Sequence, residues 1–224
     1  MIMNYLMSQS FNINYYDYSI IEQQFIKKTY EIGTTYPFKW YEFINKIIGN
    51  NEVTYFKDTT MIINLLNLDL SQVKILFEIL KEYLKNNLVR KILYKREYIV
   101  VHFHSQKTME IFSVKNLWIA VCCYYMLKDE NSDVEVFLRG VIQNETSKEL
   151  VDLVVMDQSK TYLINVTNAL QNKYDDSEVV YLYYDRNRNW NIPKDVKLLR
   201  FSFDRNQLLS NFEHLKVLEK ISKE

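Results

Sequence analysis

Two short apolar runs, each interrupted by a polar residue, constrain the fold of this chain more than any other feature. They cover residues 149–157 and 160–168, ELVDLVVMD and KTYLINVTN. Their length and their Val, Ile and Leu content predict two buried β-strands. Because strand side chains alternate between faces, Asn165 and Thr167 share one face, and Asp152 reaches the same neighbourhood from the adjacent strand. The sequence places its candidate site there.

The composition limits the class of protein. The 224 residues allow one large domain or two small ones, and a hydrophobic content of 48% with only three Gly and two Pro predicts a folded chain rich in regular structure. Lys plus Arg and Asp plus Glu both number 28, which removes any global argument for a polyanionic partner. Only a local basic patch can supply one.

The cysteines, the longest apolar run and the N-terminus indicate the cellular compartment. Cys122 and Cys123 are adjacent in an apolar helical pattern, which predicts no disulfide framework and fits a reducing environment. The longest apolar run, residues 117–127, is too short to span a bilayer. The N-terminus lacks the basic region and cleavage site of a secretory signal. We expect a soluble cytoplasmic or otherwise intracellular protein without a membrane partner.

The hydrophobic period changes near residue 105 and divides the chain into two predicted domains, residues 1–105 and 106–224. The first domain is mostly helical and ends in a basic β-hairpin, which predicts a winged-helix-like fold. Asp69 or Ser71 is the predicted cap of its best-defined helix. The elements predicted in it are helices over 18–32, 37–49 and 71–85, an ambiguous segment over 59–66, and strands over 88–94 and 98–103.

The second domain alternates between helix and strand periodicity. Its near-continuous apolar runs are typical of central strands covered on both faces. The elements predicted in it are a helix over 109–128, strands over 134–143, 150–156, 161–166, 178–184 and 196–203, and a helix over 206–220. These elements predict a mixed α+β or α/β sheet flanked by helices.

The only concentrated basic patch lies at the end of the first domain. Its members are Lys81, Lys85, Arg90, Lys91, Lys95 and Arg96. Six cations with Glu82 as the one acid between them can contact phosphates, so DNA or RNA is a candidate partner. The alternative is an ordinary solubilising surface of a helix and a hairpin.

Two of the three histidines are candidates for metal ligands. His102 and His104 share a face of one predicted strand, a spacing that can chelate a metal. No Cys or acid follows at a recognisable ligand spacing, so a structural pair is the alternative interpretation. His214 lies in the C-terminal helical pattern and indicates no site.

The motifs of residues 108–203 carry a resemblance to a known family. Trp118 lies in a helix, Lys148 to Asp152 opens a strand, and Tyr162 to Asn168 forms the next strand. This order resembles the PD-(D/E)XK nuclease superfamily, and it is most similar to the nuclease domains of CRISPR ancillary effectors. The resemblance implies a restriction-endonuclease-like sheet, with Mg²⁺ or Mn²⁺ as cofactor where the site is intact.

The sequence departs from that family at its catalytic positions. The resemblance implies that Asp152 matches the first acid, that Asn165 replaces the Glu and that Thr167 replaces the Lys. An amide is an uncharged, weaker ligand, and a Thr hydroxyl cannot replace an ammonium. Ala120 occupies the place where some relatives carry a further acid. Glu149 and Asp157 are the remaining candidates for a displaced acid. Glu149 lies at the start of the predicted strand and Asp157 at its end.

Three function classes follow. The first is a non-catalytic nucleic-acid-binding or assembly protein with a degenerate nuclease-like domain and no cofactor, from a mobile element, a virus or a defence system. The second is an active divalent-metal nuclease with a displaced acid. The third is a protein-interaction subunit that docks a protein partner or a second copy in a homodimer through Tyr183, Tyr184 and Trp190.

One feature argues against the nuclease-like topology. Only residues 168–177 separate the third and fourth strands of the second domain. A parallel crossover normally needs a dozen residues or more.

Overall fold

The computed structural model describes residues 12–35, 43, 47–48, 54–128, 134–143, 147–158, 160–166, 177–183 and 197–221. They form two compact units, one over residues 18–122 and the other joining the residues before 18 to those after 122. Each unit contains one β-sheet. The domain boundary after residue 105 stays a prediction, because compactness does not show which segment folds independently.

Five helices and ten strands have described bounds. The helices are α1 (Ile20–Thr35), α2 (Leu70–Lys85), α3 (Gln106–Ser113), α4 (Lys115–Leu127) and α5 (Arg205–Ile221). The strands are β1 (Asn12–Tyr15), β2 (Thr54–Lys57), β3 (Thr60–Asn64), β4 (Val89–Tyr94), β5 (Tyr98–Phe103), β6 (Glu135–Gln143), β7 (Lys148–Met156), β8 (Thr161–Val166), β9 (Ser177–Tyr183) and β10 (Lys197–Arg200). This mixed α+β architecture confirms the predicted class at that level.

The unit over residues 18–122 contains a four-stranded antiparallel sheet in the order β2-β3-β5-β4. The predicted β4–β5 hairpin is confirmed, and the ambiguous segment 59–66 forms strand β3. The helix predicted over 37–49 lies outside the described residues except for Phe43, Ile47 and Ile48, which are buried. The winged-helix assignment of this region stays a prediction.

Reciprocal side-chain bonds define where two helices of this unit begin. The Asp69 carboxylate accepts the Gln72 N–H, and the Gln72 side chain accepts the Asp69 N–H. Ser105 and Thr108 form the same capping box at α3. Of the two predicted caps of α2, Asp69 is therefore the residue that acts.

The prediction of a single helix over residues 109–128 is wrong. α3 ends at Ser113 and α4 begins at Lys115, with Val114 extended between them at φ −95° and ψ 107°. The Ser113 hydroxyl donates to the Met109 carbonyl at 2.7 Å, a bond that competes with regular helix geometry. Because Phe112 and Leu117 are both fully buried on either side of the break, the apolar pattern runs through it unchanged.

Aromatic rings fill the core of this unit. Tyr83 and Phe112 meet edge to face with ring centroids 5.0 Å apart, and Phe25 and Phe103 pack beside them. All four rings are fully buried. The Tyr83 and Thr29 hydroxyls share a 2.7 Å hydrogen bond, which satisfies two polar groups removed from water.

The other unit contains a six-stranded mixed sheet in the order β1-β6-β7-β8-β9-β10. The pairs β1–β6, β6–β7 and β7–β8 are antiparallel, and β9 and β10 continue the sheet parallel to β8. All five strands predicted for the second domain are present. The sequence pattern did not predict β1, which pairs with β6.

The short connection before β9 does not prevent parallel pairing. β8 and β9 pair in parallel from Thr161↔Ser177 to Val166↔Leu182, although only residues 167–176 lie between the strands. The expectation that this spacing was too short for a parallel connection is therefore wrong. The intervening residues lie outside the described ranges.

The C-terminal helix packs on this sheet, which confirms the prediction made for residues 206–220. Phe212 of α5 meets Tyr162 of β8 edge to face, with ring centroids 5.3 Å apart. Leu208 and Leu215 on the same helix are buried. Apolar contacts thus fix α5 against the middle of the sheet.

Within the described part of the chain, no helix is both long enough and apolar enough to traverse a bilayer. Cys122 and Cys123 are buried and form no disulfide bond. Burial raises the pKa of the Cys122 thiol to about 12, so very little of it is thiolate at neutral pH.

A buried carboxylate joins the starts of α1 and α3. Glu22 is 7% exposed; its Oε2 accepts the Ser19 N–H at 2.9 Å and its Oε1 accepts the Ser105 hydroxyl at 2.7 Å. Lys107 Nζ lies 3.8 Å from Oε2. Burial acts to raise the pKa of Glu22, but the hydrogen bonds from Ser105 and Ser19 and the charge of Lys107 outweigh it. The pKa is lowered as a result.

Glu22→Gln is expected to lower the unfolding free energy at neutral pH by about 1–3 kcal/mol, since hydrogen bonds to charged groups contribute that much. Because the folded-state pKa lies below the unfolded value, this contribution is present above the unfolded pKa. It disappears as the pH falls through the folded pKa. Denaturant unfolding of both proteins from neutral pH to below the ordinary Glu range measures the difference.

Glu31→Gln is the matched control. Glu31 is 45% exposed and pairs with Lys28 at 3.2 Å, so its loss changes stability by less than about 0.5 kcal/mol. A Glu22→Gln difference that keeps its size in acid contradicts the role assigned to the carboxylate.

Candidate functional site

The candidate site lies where the backbone ladder between β7 and β8 ends. The two strands pair from Met156↔Thr161 to Leu153↔Ile164. The next facing positions are Asp152 and Asn165, the two described residues that the sequence singled out. The third, Thr167, lies outside the described residues.

Side chains replace the backbone ladder at this point. The Asn165 side chain accepts the Asp152 N–H at Oδ1, 2.8 Å away, and donates from Nδ2 to the Leu150 carbonyl at 3.3 Å. In return, Asp152 Oδ2 accepts the Val166 N–H at 2.9 Å. Each side chain thus bonds to the backbone of the opposite strand. We call this Asp152–Asn165 arrangement the side-chain brace.

Arg139 lies on the other side of Asp152. It faces Asp152 across β6 and β7, between the pairs Leu138↔Leu153 and Gly140↔Val151. Its φ of 61° is in the left-handed region, which is uncommon for a residue with a side chain. Its guanidinium lies 5.4 Å from the centre of the Tyr16 ring. A cation of the chain therefore stands beside the candidate carboxylate.

The facing positions continue across the sheet. Tyr16, just after β1, donates its N–H to the Arg139 carbonyl at 3.2 Å, and Tyr181 of β9 pairs with Asn165. Tyr181 is 8% exposed, and burial raises the pKa of its phenol. Tyr16, Arg139, Asp152, Asn165 and Tyr181 thus form a polar row across the sheet, from the end of β1 to β9.

Burial dominates the electrostatics of Asp152. It raises the pKa of the carboxyl, while the Val166 N–H and the charge of Arg139 act in the opposite direction without cancelling it. The ionised form is therefore less favourable in the folded protein than in water. A bound divalent cation would reverse that direction.

The side chains of Asp152 and Asn165 do not fit the two-acid metal site of the family that the sequence resembles. Asn165 uses both ends of its amide on β7, and one oxygen of Asp152 accepts the Val166 N–H. In the described ranges, no three His, Cys, Asp or Glu side chains are grouped so that they could hold a metal ion. Mg²⁺ usually takes one or two carboxylates, and here the partner of the single acid is an amide.

The two candidates for a displaced acid lie away from Asp152. Glu149 is three residues earlier on β7, so its side chain projects from the opposite face. Asp157 follows the end of β7, roughly 17 Å along the chain from Asp152 at about 3.3 Å per residue. Its Oδ1 accepts the Lys160 N–H at 2.9 Å, which places it in the β7–β8 turn.

The predicted basic patch lies on one unit, and all six side chains are exposed. Lys81 and Lys85 are on α2, Arg90 and Lys91 on β4, and Lys95 and Arg96 in the turn before β5. β4 is an edge strand of its sheet. The nucleic-acid-binding role of the basic patch stays a prediction.

The histidine pair has other partners. His102 Nδ1 lies 3.1 Å from the Thr60 hydroxyl, and His104 Nε2 lies 3.1 Å from the Asn87 carbonyl. Each ring is thus hydrogen-bonded to a different element. These bonds favour the structural interpretation of the pair.

Trp118 and Ala120, which carry part of the family resemblance, belong to the core. Trp118 is 1% exposed and packs against Gly33, where an added Cβ would come within 2.9 Å of the indole ring. Ala120 is fully buried.

Arg139, Tyr16 and Tyr181 were not among the site residues predicted from the sequence. Arg139 had a visible signal, because it is the only charged residue within the apolar stretch of residues 136–143. The two tyrosines had none. Their place in the polar row follows from strand register, and the register of β1 and β9 is set by pairing that local sequence does not reveal.

The solved structures that share the fold include the following two. Protein VC1899 from Vibrio cholerae has a TM-score of 0.53 and 12% identity, covering 94% of this chain and 59% of its own. Can2 from Sulfobacillus thermosulfidooxidans, solved in complex with cyclic tetra-adenylate, has a TM-score of 0.51 and 11% identity, covering 92% and 57%. Such identities show the fold alone, and the chain spans less than two thirds of either protein. No protein-family model and no curated protein matches the sequence.

Asn165→Leu removes the amide and leaves the Asp152 N–H and the Leu150 carbonyl without this partner. We expect it to lower the unfolding free energy by about 1–3 kcal/mol, the usual cost of leaving one backbone donor away from water without its partner, since Leu150 itself is exposed. Asn14→Leu makes the same change at an exposed position of the same sheet and is expected to be nearly neutral. Equal stability of the two variants, measured by denaturant unfolding, would show that the brace has no structural role.

Asp152→Asn is expected to be at least as stable as the wild type at neutral pH, because it removes a charge that burial disfavours. With the folded pKa above the unfolded value, the wild type loses stability as the pH rises through the folded pKa, so the difference closes in acid. Thermal unfolding with and without Mg²⁺ checks this. Magnesium that stabilises the wild type but not the variant would instead identify Asp152 as a metal ligand.

Proposed function

We propose that this chain is an intracellular, non-catalytic nucleic-acid-binding protein whose six-stranded sheet has the layout of a PD-(D/E)XK nuclease. The observation that carries the proposal is the side-chain brace. The residues at the family's acid positions bond to the backbone of neighbouring strands. The proposal includes no resident metal.

The brace explains how the sheet keeps its shape without the family's catalytic groups. Hydrolysis by such a site needs carboxylates that hold a divalent cation beside the attacked phosphate. Here an amide replaces one acid, and Arg139 supplies positive charge beside Asp152. A fixed guanidinium lowers the electrostatic gain of adding a cation at the same place.

The nucleic-acid part of the proposal rests on local charge. Residues 74–96 contain seven basic and two acidic side chains, in a chain whose total charge is balanced. The cations on α2, on the edge strand β4 and in the following turn are exposed, so they can contact phosphates directly. A winged-helix-like role for this region is part of the proposal.

The likeness to Can2 supports a setting in which nucleotides take part. Can2 was solved with cyclic tetra-adenylate, and this chain shares its fold over 92% of its own length. We propose a role in CRISPR-type defence or in a mobile element. The pathway is inferred from fold analogy, which is a weaker argument than site chemistry.

Replacing Lys91, Lys95 and Arg96 together by alanine is expected to weaken binding of labelled DNA and RNA, with the slope of log K against log salt reduced by about 2–3. Anisotropy titrations at several salt concentrations measure this, and gels of the same samples with Mg²⁺ or Mn²⁺ are expected to show no cleavage. The control replaces Lys27, Lys57 and Lys148, which are exposed and give the same change in charge.

Two outcomes would overturn the proposal in different ways. Metal-dependent cleavage abolished by Asp152→Ala would identify an active nuclease with a displaced acid. Absence of binding to any nucleic acid, together with a stable oligomer, would identify an interaction subunit. The surface predicted for that role includes Tyr183, and its other members, Tyr184 and Trp190, lie outside the described residues.

A further inference from the structure

An apolar groove lies between α2 and the edge strand β4. Its floor contains Phe77 and Tyr94, whose rings stack at a centroid distance of 5.1 Å and an interplanar angle of 12°. Leu70 and Val73 extend the apolar lining along α2, and the groove has a volume of about 570 Å³. The two rings therefore form one stacked aromatic pair contributed by two different elements.

Both rings of this pair remain open to solvent. Phe77 is 38% exposed and Tyr94 is 47% exposed, while Leu76 and Leu80 on the core side of the same helix are fully buried. Leu70 at the start of the groove is 86% exposed. An apolar stripe on the outer face of a helix that already has a buried face is typical of a binding surface.

Lysines flank the stacked pair. Lys74 and Lys81 lie one turn before and one turn after Phe77 on α2, and both line the groove. Glu78 is the single acid in the lining. Aromatic faces bordered by cations at about one helical turn match the alternation of bases and phosphates in a nucleic-acid strand.

We infer that this groove binds single-stranded nucleic acid, with a base stacked on the Phe77–Tyr94 pair and the adjoining phosphates at Lys74 and Lys81. The inference rests on the proposed nucleic-acid binding and names its substrate class. A base within a duplex has both faces covered by its neighbours, so only an unpaired base can extend the stack. A duplex can contact the lysines but not the rings.

The parallel arrangement of the rings favours a base over an acidic amphipathic helix. A helix would fill the groove with aliphatic side chains of irregular shape. In a stacked pair the outer face of a ring is planar, and a third planar ring continues the same stack. Charge complementarity is equal for the two occupants, so ring geometry decides between them.

The test compares Tyr94→Leu and Phe77→Leu with the wild type by fluorescence anisotropy. Three probes of one sequence are used: a labelled single strand, its duplex, and a single strand with abasic sites. We expect each variant to bind the intact single strand roughly tenfold more weakly, a typical loss for one stacked base. Binding to the duplex and to the abasic strand is expected to stay unchanged.

Two variants control for ring chemistry and for folding. Tyr94→Phe keeps the ring and is expected to retain binding. Tyr55→Leu removes a tyrosine that is 63% exposed on β2, at the opposite edge of the same sheet, and is expected to bind as the wild type does. Thermal unfolding of all variants shows whether each one folds.

The outcomes separate this inference from the function on which it rests. If both leucine variants bind as the wild type does and the Lys91, Lys95 and Arg96 variant loses binding, the stacking site is refuted. Nucleic-acid binding by the basic patch then stands. Equal losses on the intact and abasic strands would also refute stacking. A wild type that binds no nucleic acid refutes both, and an acidic amphipathic peptide that binds only when Phe77 and Tyr94 are present would identify the groove as a protein-docking site.

Discussion

Hydrogen bonds from the Asp152 and Asn165 side chains to the facing strands join β7 and β8 at the candidate site. Backbone pairing of β7 and β8 runs as far as Leu153 and Ile164, and at the next facing pair of described residues the Asp152 and Asn165 side chains bond to the opposite strand. An unpaired backbone group in a buried sheet is costly, so the two polar side chains are needed there for the fold itself. The structural demand therefore accounts for polar residues that the sequence alone presents as candidates for chemistry.

The same geometry limits what the site can bind. A carboxylate that accepts a backbone N–H and faces an arginine is already partly neutralised, and an amide with both ends bonded is a poor metal ligand. In our proposal the polar row of the sheet has become structural, and contact with nucleic acid has moved to the other unit. There, Lys74, Lys81, Phe77 and Tyr94 combine charge and flat aromatic surface without requiring a metal.

Much of the fold could be read from the sequence because the signals were local. The Asp69 cap, the apolar stripe of α2 and the five runs that became β6 to β10 each lie within a few residues of one another. The break at Val114 and the strand β1 could not be read, because the first lies inside an unbroken apolar pattern and the second depends on a distant partner. The site followed the same rule: Asp152 and Asn165 interrupt apolar runs, whereas Tyr16 and Tyr181 join the polar row only through register.

A titration of the isotope-labelled protein with Mn²⁺, monitored at the amide signals of Asp152 and Val166, tests most directly whether the side-chain brace is structural. Paramagnetic Mn²⁺ broadens the signals of nearby nuclei. If the brace is structural, both amides keep their line widths and their protection from hydrogen exchange throughout the titration. Selective broadening of these two signals at low Mn²⁺ concentration would show that a divalent cation binds at Asp152, and it would contradict the account.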